Sequence, residues 1–368
     1  MKRRESTGSA FCGARSEPST GCGRGALRAL LVGLGLMVLR VVPAASQTVD
    51  PDLWGTNGTV TAIARSGDRV YIGGSFTQVG PSSGYGVPIG CATGKAVKPY
   101  PKVAGGYVST AASDGAGGWY IGGGGFRAVG GALRFCLAHI LPDGSVAPWD
   151  PSPNSWIGAI AIGGNRVYVG GAFTQIAGEA RNRLAAFDAT TGALTDWNPS
   201  SSSWSDALSV EGDRVYIGGH FLAVGGGYRN YVAAVDTING GLMSWNPWAD
   251  GEVMTLAVHG DVVYAGGEFY GIGGQARNHL AALDKNAGLA TSWNPGIANR
   301  PEEYESGPPL VRALAVRGET VYVGGAYFMI GGQGRQGLAA VDGNTGAVLD
   351  WNPNPAGGSP YAYVNALS

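Results

Sequence analysis

From Val60 onward, short apolar stretches alternate with clusters of Gly, Asp and Asn, and the pattern returns about every 48 residues. One period shows the elements: Ala159 to Ile162, a Gly164-Asn165 turn, Arg166 to Phe173, then Leu184 to Phe187 and Ala193 to Trp197. Four short apolar runs separated by turn residues predict a four-stranded antiparallel meander. No segment carries the 3.6-residue period of an amphipathic helix.

The phase of the repeat is fixed by Tyr-Val/Ile/Ala-Gly-Gly, which begins at Tyr71, Tyr120, Tyr168, Tyr216, Tyr264 and Tyr322, at spacings of 49, 48, 48, 48 and 58. A Trp-Asn/Asp-Pro triplet begins 29 residues after each Tyr from Tyr120 on, at Trp149, Trp197, Trp245, Trp293 and Trp351. This period suits the blades of a β-propeller and exceeds those of ankyrin, tetratricopeptide and leucine-rich repeats. The expected fold is an all-β propeller of four-stranded blades, with repeats at about 55–101, 102–151, 152–199, 200–247, 248–295 and 296–353 and the start of a seventh at 354–368. Thr48 to Trp54 reads as a fourth strand without its first three, and Val364 to Ser368 as a first strand without its successors. Together they suggest a seven-bladed parent whose last blade is C-terminally incomplete, since propellers close by joining their termini in one blade.

Several recurring residues have a structural role in this scheme. Gly67, Gly164, Gly212 and Gly260 supply tight first turns, and Asp188, Asp236, Asp284 and Asp342 each open an Asp-to-Gly turn whose side chain can bond the turn's own amides. An EF-hand-type calcium loop would need alternating oxygen ligands and a closing Glu, which these turns lack. The paired glycines imply close approach of a neighbouring blade, and Phe76, Phe126, Phe173, Phe221, Phe269 and Tyr327 are expected to fill the space between blades.

Meander topology sorts the loops onto two faces. The first and third turns share one face, which is rich in Asp. The second connections and the blade-to-blade loops share the other, called the loop face below. There each unit except the first presents one arginine: Arg134, Arg181, Arg229, Arg277 and Arg335. Three residues before each first strand stand Thr59, Tyr107, Trp156, Trp204, Glu252, Leu310 and Tyr363. Two readings of each column stay open. The arginines either bond backbone carbonyls of their own or an adjoining blade or meet a partner, and the aromatics either pack at the blade entrance or contact a ligand. The candidate binding residues are accordingly Tyr107, Trp156, Trp204 and the five arginines.

Composition narrows the function. With 65 Gly, 20 Pro and 44% hydrophobic residues in 368, the chain is turn-rich but not disordered. Residues 1–46 read as an export signal: Arg-rich to Arg28, apolar from Ala29 to Leu39, small at Ala44 and Ser46. The apolar run is shorter than the roughly 20 residues that span a bilayer. Its removal leaves 18 basic and 24 acidic residues, a net charge of −6, which argues against nucleic-acid and anionic-membrane partners. Cys91 and Cys136 have no metal-ligand spacing, and the pair is open to a disulfide or to free thiols. His139, His220, His259 and His279 lie in no catalytic or metal motif, and no nucleophile signature or cofactor fingerprint appears. Two carboxylates meeting at the axis would leave no linear pattern.

In VYIGGSF (Val70–Phe76), VYVGGAF (Val167–Phe173), GGGYRNYVAAVD (Gly225–Asp236) and the Trp-Asn-Pro triplets, the chain resembles the bacterial delta-60 repeat proteins, whose repeat also occurs in fungal cortical cell-polarity marker proteins. Kelch repeats are a looser likeness. The first unit departs from the pattern, with Pro81 to Gly86 in place of the Arg-Asn loop. The resemblance implies a secreted or surface propeller and supplies no catalytic residues. The expected function is a binding or scaffold module for a protein or glycan, without cofactor or metal. The alternatives are a carbohydrate-active enzyme with axial carboxylates and a purely structural spacer.

Overall fold

The computed structural model describes residues 56–76, 79, 85–93, 95–298, 308–353 and 364–367. Residues 1–46, expected from sequence to be an export signal, and residues 48–54, Glu302 to Glu305 and Tyr363 lie outside them. Every regular element among the described residues is a β-strand. Six antiparallel sheets follow one another in the chain, each built in the order first, second, third strand. In the third blade these strands are Ile157–Gly163, Arg166–Gly171 and Leu184–Asp188. The first strands of all six blades, with Asn365–Leu367, line one axial cavity of about 250 Å³, so the blades are arranged around an axis as a β-propeller.

The strands are apolar on both sides because each blade is covered on both sides. Val167 and Val169 pack with Tyr120, Leu137 and Ile157. Their neighbour Tyr168 points the other way, toward Val215, Ile217 and Phe221 of the fourth blade. Period-two alternation thus sends successive side chains into two different seams. The core is the series of seams between successive blades, and the recurring Phe and Tyr327 are buried within it.

The two glycines of each pair answer to different neighbours. A Cβ on the first would strike the next blade: Gly73 meets Val108 at 2.4 Å, Gly122 meets Ile157 at 2.6 Å and Gly266 meets Val311 at 2.5 Å. A Cβ on the second would strike its own blade: Gly74 meets the Thr59 carbonyl at 1.9 Å and Gly267 the Glu252 carbonyl at 1.9 Å. The cause is a β-bulge near the start of every first strand, as between Ile157 and Ala159 or Val253 and Thr255. Only the first contact follows from blade packing. The bulge was not legible in the repeat.

The fourth strand is shorter than expected. Leu194 forms a single bridge with Phe187, and the same one-bridge strand recurs at Val146, Leu242, Ala290 and Val348. The Trp-Asn-Pro triplet then carries the chain to the next blade, because Pro cannot donate to a ladder. The indole closes that crossing: Trp197 Nε1 donates to Asp236 O at 2.8 Å, Trp245 Nε1 to Asp284 O at 3.0 Å and Trp293 Nε1 to Asp342 O at 2.8 Å. The second connection folds into a small hairpin, as in Gln175–Ile176 with Glu179–Ala180. The blade-to-blade segment pairs with the hairpin of the following blade, for example Ser201 with Val224.

Val364 N donates to Gly325 O at 3.1 Å, and a Cβ on Gly324 would meet Val364 at 2.6 Å. Val364–Leu367 therefore occupies, against the sixth blade, the place that each following first strand occupies against the blade before it. Cys91 is an exposed free thiol and Cys136 a buried one.

Gly267→Ala is expected to cost more than about 2 kcal/mol in urea unfolding, because a backbone carbonyl must move. Gly170→Ala, whose Cβ would meet Ser205 at 3.1 Å, is expected to cost about half as much or less. Equal losses at the two sites would contradict the bulge contact.

Candidate axial and loop-face site

The bulge places one residue of each first strand at the axis: Thr61, Ser109, Gly158, Asp206, Met254 and Arg312, joined by Asn365. Two of them tie the ring together, with Thr61 Oγ1 donating to the Val108 carbonyl and Ser109 Oγ to the Ile157 carbonyl at 2.7 Å. Asp206 differs from the rest in carrying a carboxyl group into a largely enclosed position.

Burial pushes the Asp206 carboxyl up to about 7, helped by the charge of Glu252 and by a hydrogen bond shared with it. Asp206 Oδ2 and the adjacent Ser205 Oγ are buried without a hydrogen-bond partner in the protein. Asp206 lines the axial cavity, whereas Ser205 packs toward Gly170 in the seam between the third and fourth blades. His220 Nδ1 stands 3.9 Å from Glu252 Oε2. Its ring lies 5.5 Å from that of Trp204, and Trp204 meets Trp156 edge to face at 6.3 Å. Trp156, Trp204, His220, Glu252 and Asp206 thus form an arc across the third to fifth blades at the loop-face end of the axis.

Of the residues expected to bind, the structure brings Trp156 and Trp204 into this arc. Tyr107 is 43% exposed and stands on the second blade, where Gly124 makes room for its ring. The five arginines share one geometry. One Nη donates to the preceding carbonyl, and the other reaches the short fourth strand, at Ala147 O, Thr195 O, Met243 O, Thr291 O and Leu349 O. Their Nε atoms are buried. Each guanidinium thereby fastens the loop-face hairpin to the outer strand of its own blade.

Asp206, Glu252 and His220 were not singled out by sequence. Their signal is weak but present: Asp206 is the one acid in the bulge column, Glu252 the one acid in an otherwise mainly aromatic column, and His220 stands where other units carry Ser75, Ala172 or Glu268.

The turn-face aspartates behave as expected. Asp188 Oδ1 accepts from the Thr190 and Thr191 amides at 3.0 and 2.7 Å, and these bonds hold its carboxyl below the ordinary range. Asp284 is held low in the same way by the amides of Ala287 and Asn286.

Fold and site together define a propeller-type binding or scaffold module. Residues 137–364, more than half of the chain, match the family model described as outer membrane protein assembly factor BamB, and the chain belongs to that family of propeller repeats. No curated protein matches it. Among solved structures, the crystal structure of the computationally designed Ika8 protein is similar at 15% identity, covering 86% of this chain and 93% of that one with a TM-score of 0.49. No helix among the described residues is long and apolar enough to cross a membrane.

Because the folded pKa of Asp206 lies above its unfolded value, the folded chain keeps a proton that the unfolded chain loses between about pH 4 and 7. Stability therefore falls across that window, by an amount on the order of 4 kcal/mol. Asp206→Asn is expected to abolish this fall and to exceed the parent in stability at pH 8, as read by urea unfolding at several pH values. Parallel curves for the two proteins would contradict the assignment.

Proposed function

We propose that the chain is a secreted or cell-surface scaffold whose partner is a protein docked on the loop face. The carrying observation is the distribution of exposed apolar side chains. Of the ten large hydrophobics exposed among the described residues, eight stand on that face: Tyr107, Leu133, Phe135, Trp204, Leu222, Tyr228, Trp248 and Tyr270. Tyr228, 87% exposed, and Trp248, 56% exposed, flank the fourth blade at the tip of its hairpin and the loop that leaves it. Large exposed aromatics concentrated on one face characterise interaction surfaces. The arginine fastening supports this role, since it holds the hairpins that carry these side chains in place without a partner, which lowers the cost of ordering them on binding.

The family supports a scaffold reading through its description as an assembly factor. The signal-like pattern of residues 1–46 supports secretion, and the resemblance to delta-60 repeats supports the same surroundings.

A second reading, a glycan held at the axial mouth, is favoured by the Trp156–Trp204–His220 arc beside the Asp206–Glu252 pair. Aromatic faces next to paired polar groups suit sugar rings and their hydroxyls.

Partner capture from the medium by the immobilised protein, compared with Trp204→Ala, Trp248→Ala double-variant protein, separates the readings. Loss of about 90% or more of a captured protein, with melting unchanged, is the expected result. Undiminished capture by the double variant would overturn the loop-face assignment, and binding of glycans alone would favour the second reading.

A further inference from the structure

The seams between blades repeat one polar contact on the turn face. At the carbonyl just after the turn Asp, or its equivalent, the preceding blade supplies a donor. Arg69 Nη1 reaches Pro142 O at 3.3 Å, and Arg166 Nη1 reaches Thr237 O at 2.6 Å and Ile238 O at 2.7 Å. Arg214 Nη1 donates to Lys285 O. Tyr168 and Tyr264 hydroxyls reach Thr237 O at 3.0 Å and Gly343 O at 3.1 Å.

The seam between the second and third blades departs from this rule. The position of Arg166 is taken in the second blade by Gly118, and no donor among the described residues reaches Ala189 O. A Cβ on Gly118 would lie 2.4 Å from Asp114 Oδ2 and 2.5 Å from Ile140 O, so no side chain fits there. Three other features of this blade converge on the same place. His139 stands where the later blades pair the repeat Tyr with Ala186, Ala234, Ala282 and Ala340. It stacks on Tyr120 with ring centroids 4.1 Å apart, and Asp114 Oδ2 holds its Nε2 at 3.0 Å. Trp149 Nε1 is redirected to Gly192 O at 2.9 Å, whereas its counterparts bond the carbonyl of the turn Asp itself.

The result is a cleft of about 420 Å³, bounded by the rings of Tyr120, Trp149 and Phe187 and by the Asp188–Gly192 turn. In the seam before it, where Arg69 is present, the corresponding space is about 10 Å³. We infer that the cleft between the second and third blades receives an arginine side chain from a partner polypeptide. The incoming guanidinium takes the role that Arg166 and Arg214 fill within the chain. Its planar donors suit the Ala189 carbonyl and its neighbours, its face suits the surrounding rings, and its charge suits the Asp188 carboxylate. Arg166, whose charge also acts on Asp188, bonds Thr237 O in the next seam and does not reach Ala189 O. The cleft lies at the turn-face end of the seam, so the inference is independent of the partner proposed for the loop face.

The test uses the whole protein and calorimetric titration with N-acetyl-arginine amide, with N-acetyl-citrulline amide as the uncharged isostere. The arginine compound is expected to bind about tenfold or more tightly than the citrulline compound. Ala147→Leu, which fills the cleft from its buried wall, is expected to abolish the difference while retaining a cooperative melt. Crystals soaked with the arginine compound give a second measurement that does not depend on that variant folding, and density is expected against Ala189 O. Equal affinity for the two compounds, or density elsewhere with this cleft empty, would overturn the inference.

Discussion

A blade of this protein cannot bury both of its faces alone, and everything else in the structure follows from how each blade is fastened to the next. The fastening is one recurrent group: the repeat Tyr meeting the Trp of the crossing triplet edge to face, as in Tyr168–Trp197 and Tyr216–Trp245 at 5.1 Å, with the indole donating to the next blade's turn. Aromatic pairs of this geometry add roughly 0.5–1.5 kcal/mol beyond the area they bury. The indole bond also fixes register, because a turn carbonyl is available at one height only. Blades fixed at one height bring their first strands to a common axis, and the bulge then presents one side chain per blade to it.

That arrangement separates residues that maintain the ring from those free to differ. The glycine pairs, the seam Phe and the turn Asp meet backbone or neighbouring cores, so they recur. The bulge column faces the axis, and it varies from Thr61 to Asp206 to Arg312. The loop-face hairpins are fastened by an arginine at their base and vary at their tips, from Leu133 to Tyr228. In a repeat protein such tolerance is where binding chemistry can be placed without loss of the scaffold.

The second and third blades show the same logic on the opposite face. Gly118, His139 and the Asp114 turn are three departures from the repeat in one blade, and each acts at the same seam. Gly118 withdraws a donor, His139 takes up the face of Tyr120, and Asp114 holds His139.

The blade period, the turns, the buried aromatics and the two-faced sorting of loops were legible in the sequence because each rests on a local pattern in a fixed phase. What was not legible depends on contacts between units. The second glycine of each pair reads as blade packing until the bulge carbonyl opposite it is seen. Arg134, Arg181, Arg229, Arg277 and Arg335 can be read from sequence as braces or as a binding ring, and their bonds to the short fourth strand show the bracing. Asp206 and Glu252 are 46 residues apart in the chain and meet only because adjacent blades place them side by side. The empty donor position at Gly118 becomes visible only when the donors of the other seams are known.

The central claim is that the variable loop face receives the partner. Hydrogen–deuterium exchange of the protein alone and with its captured partner measures this directly. Slowed exchange is predicted in the hairpins around Leu133, Leu222, Tyr228 and Tyr270 and in the segment from Trp204 to Asp206. Exchange in those segments that does not change when the partner is bound would contradict it.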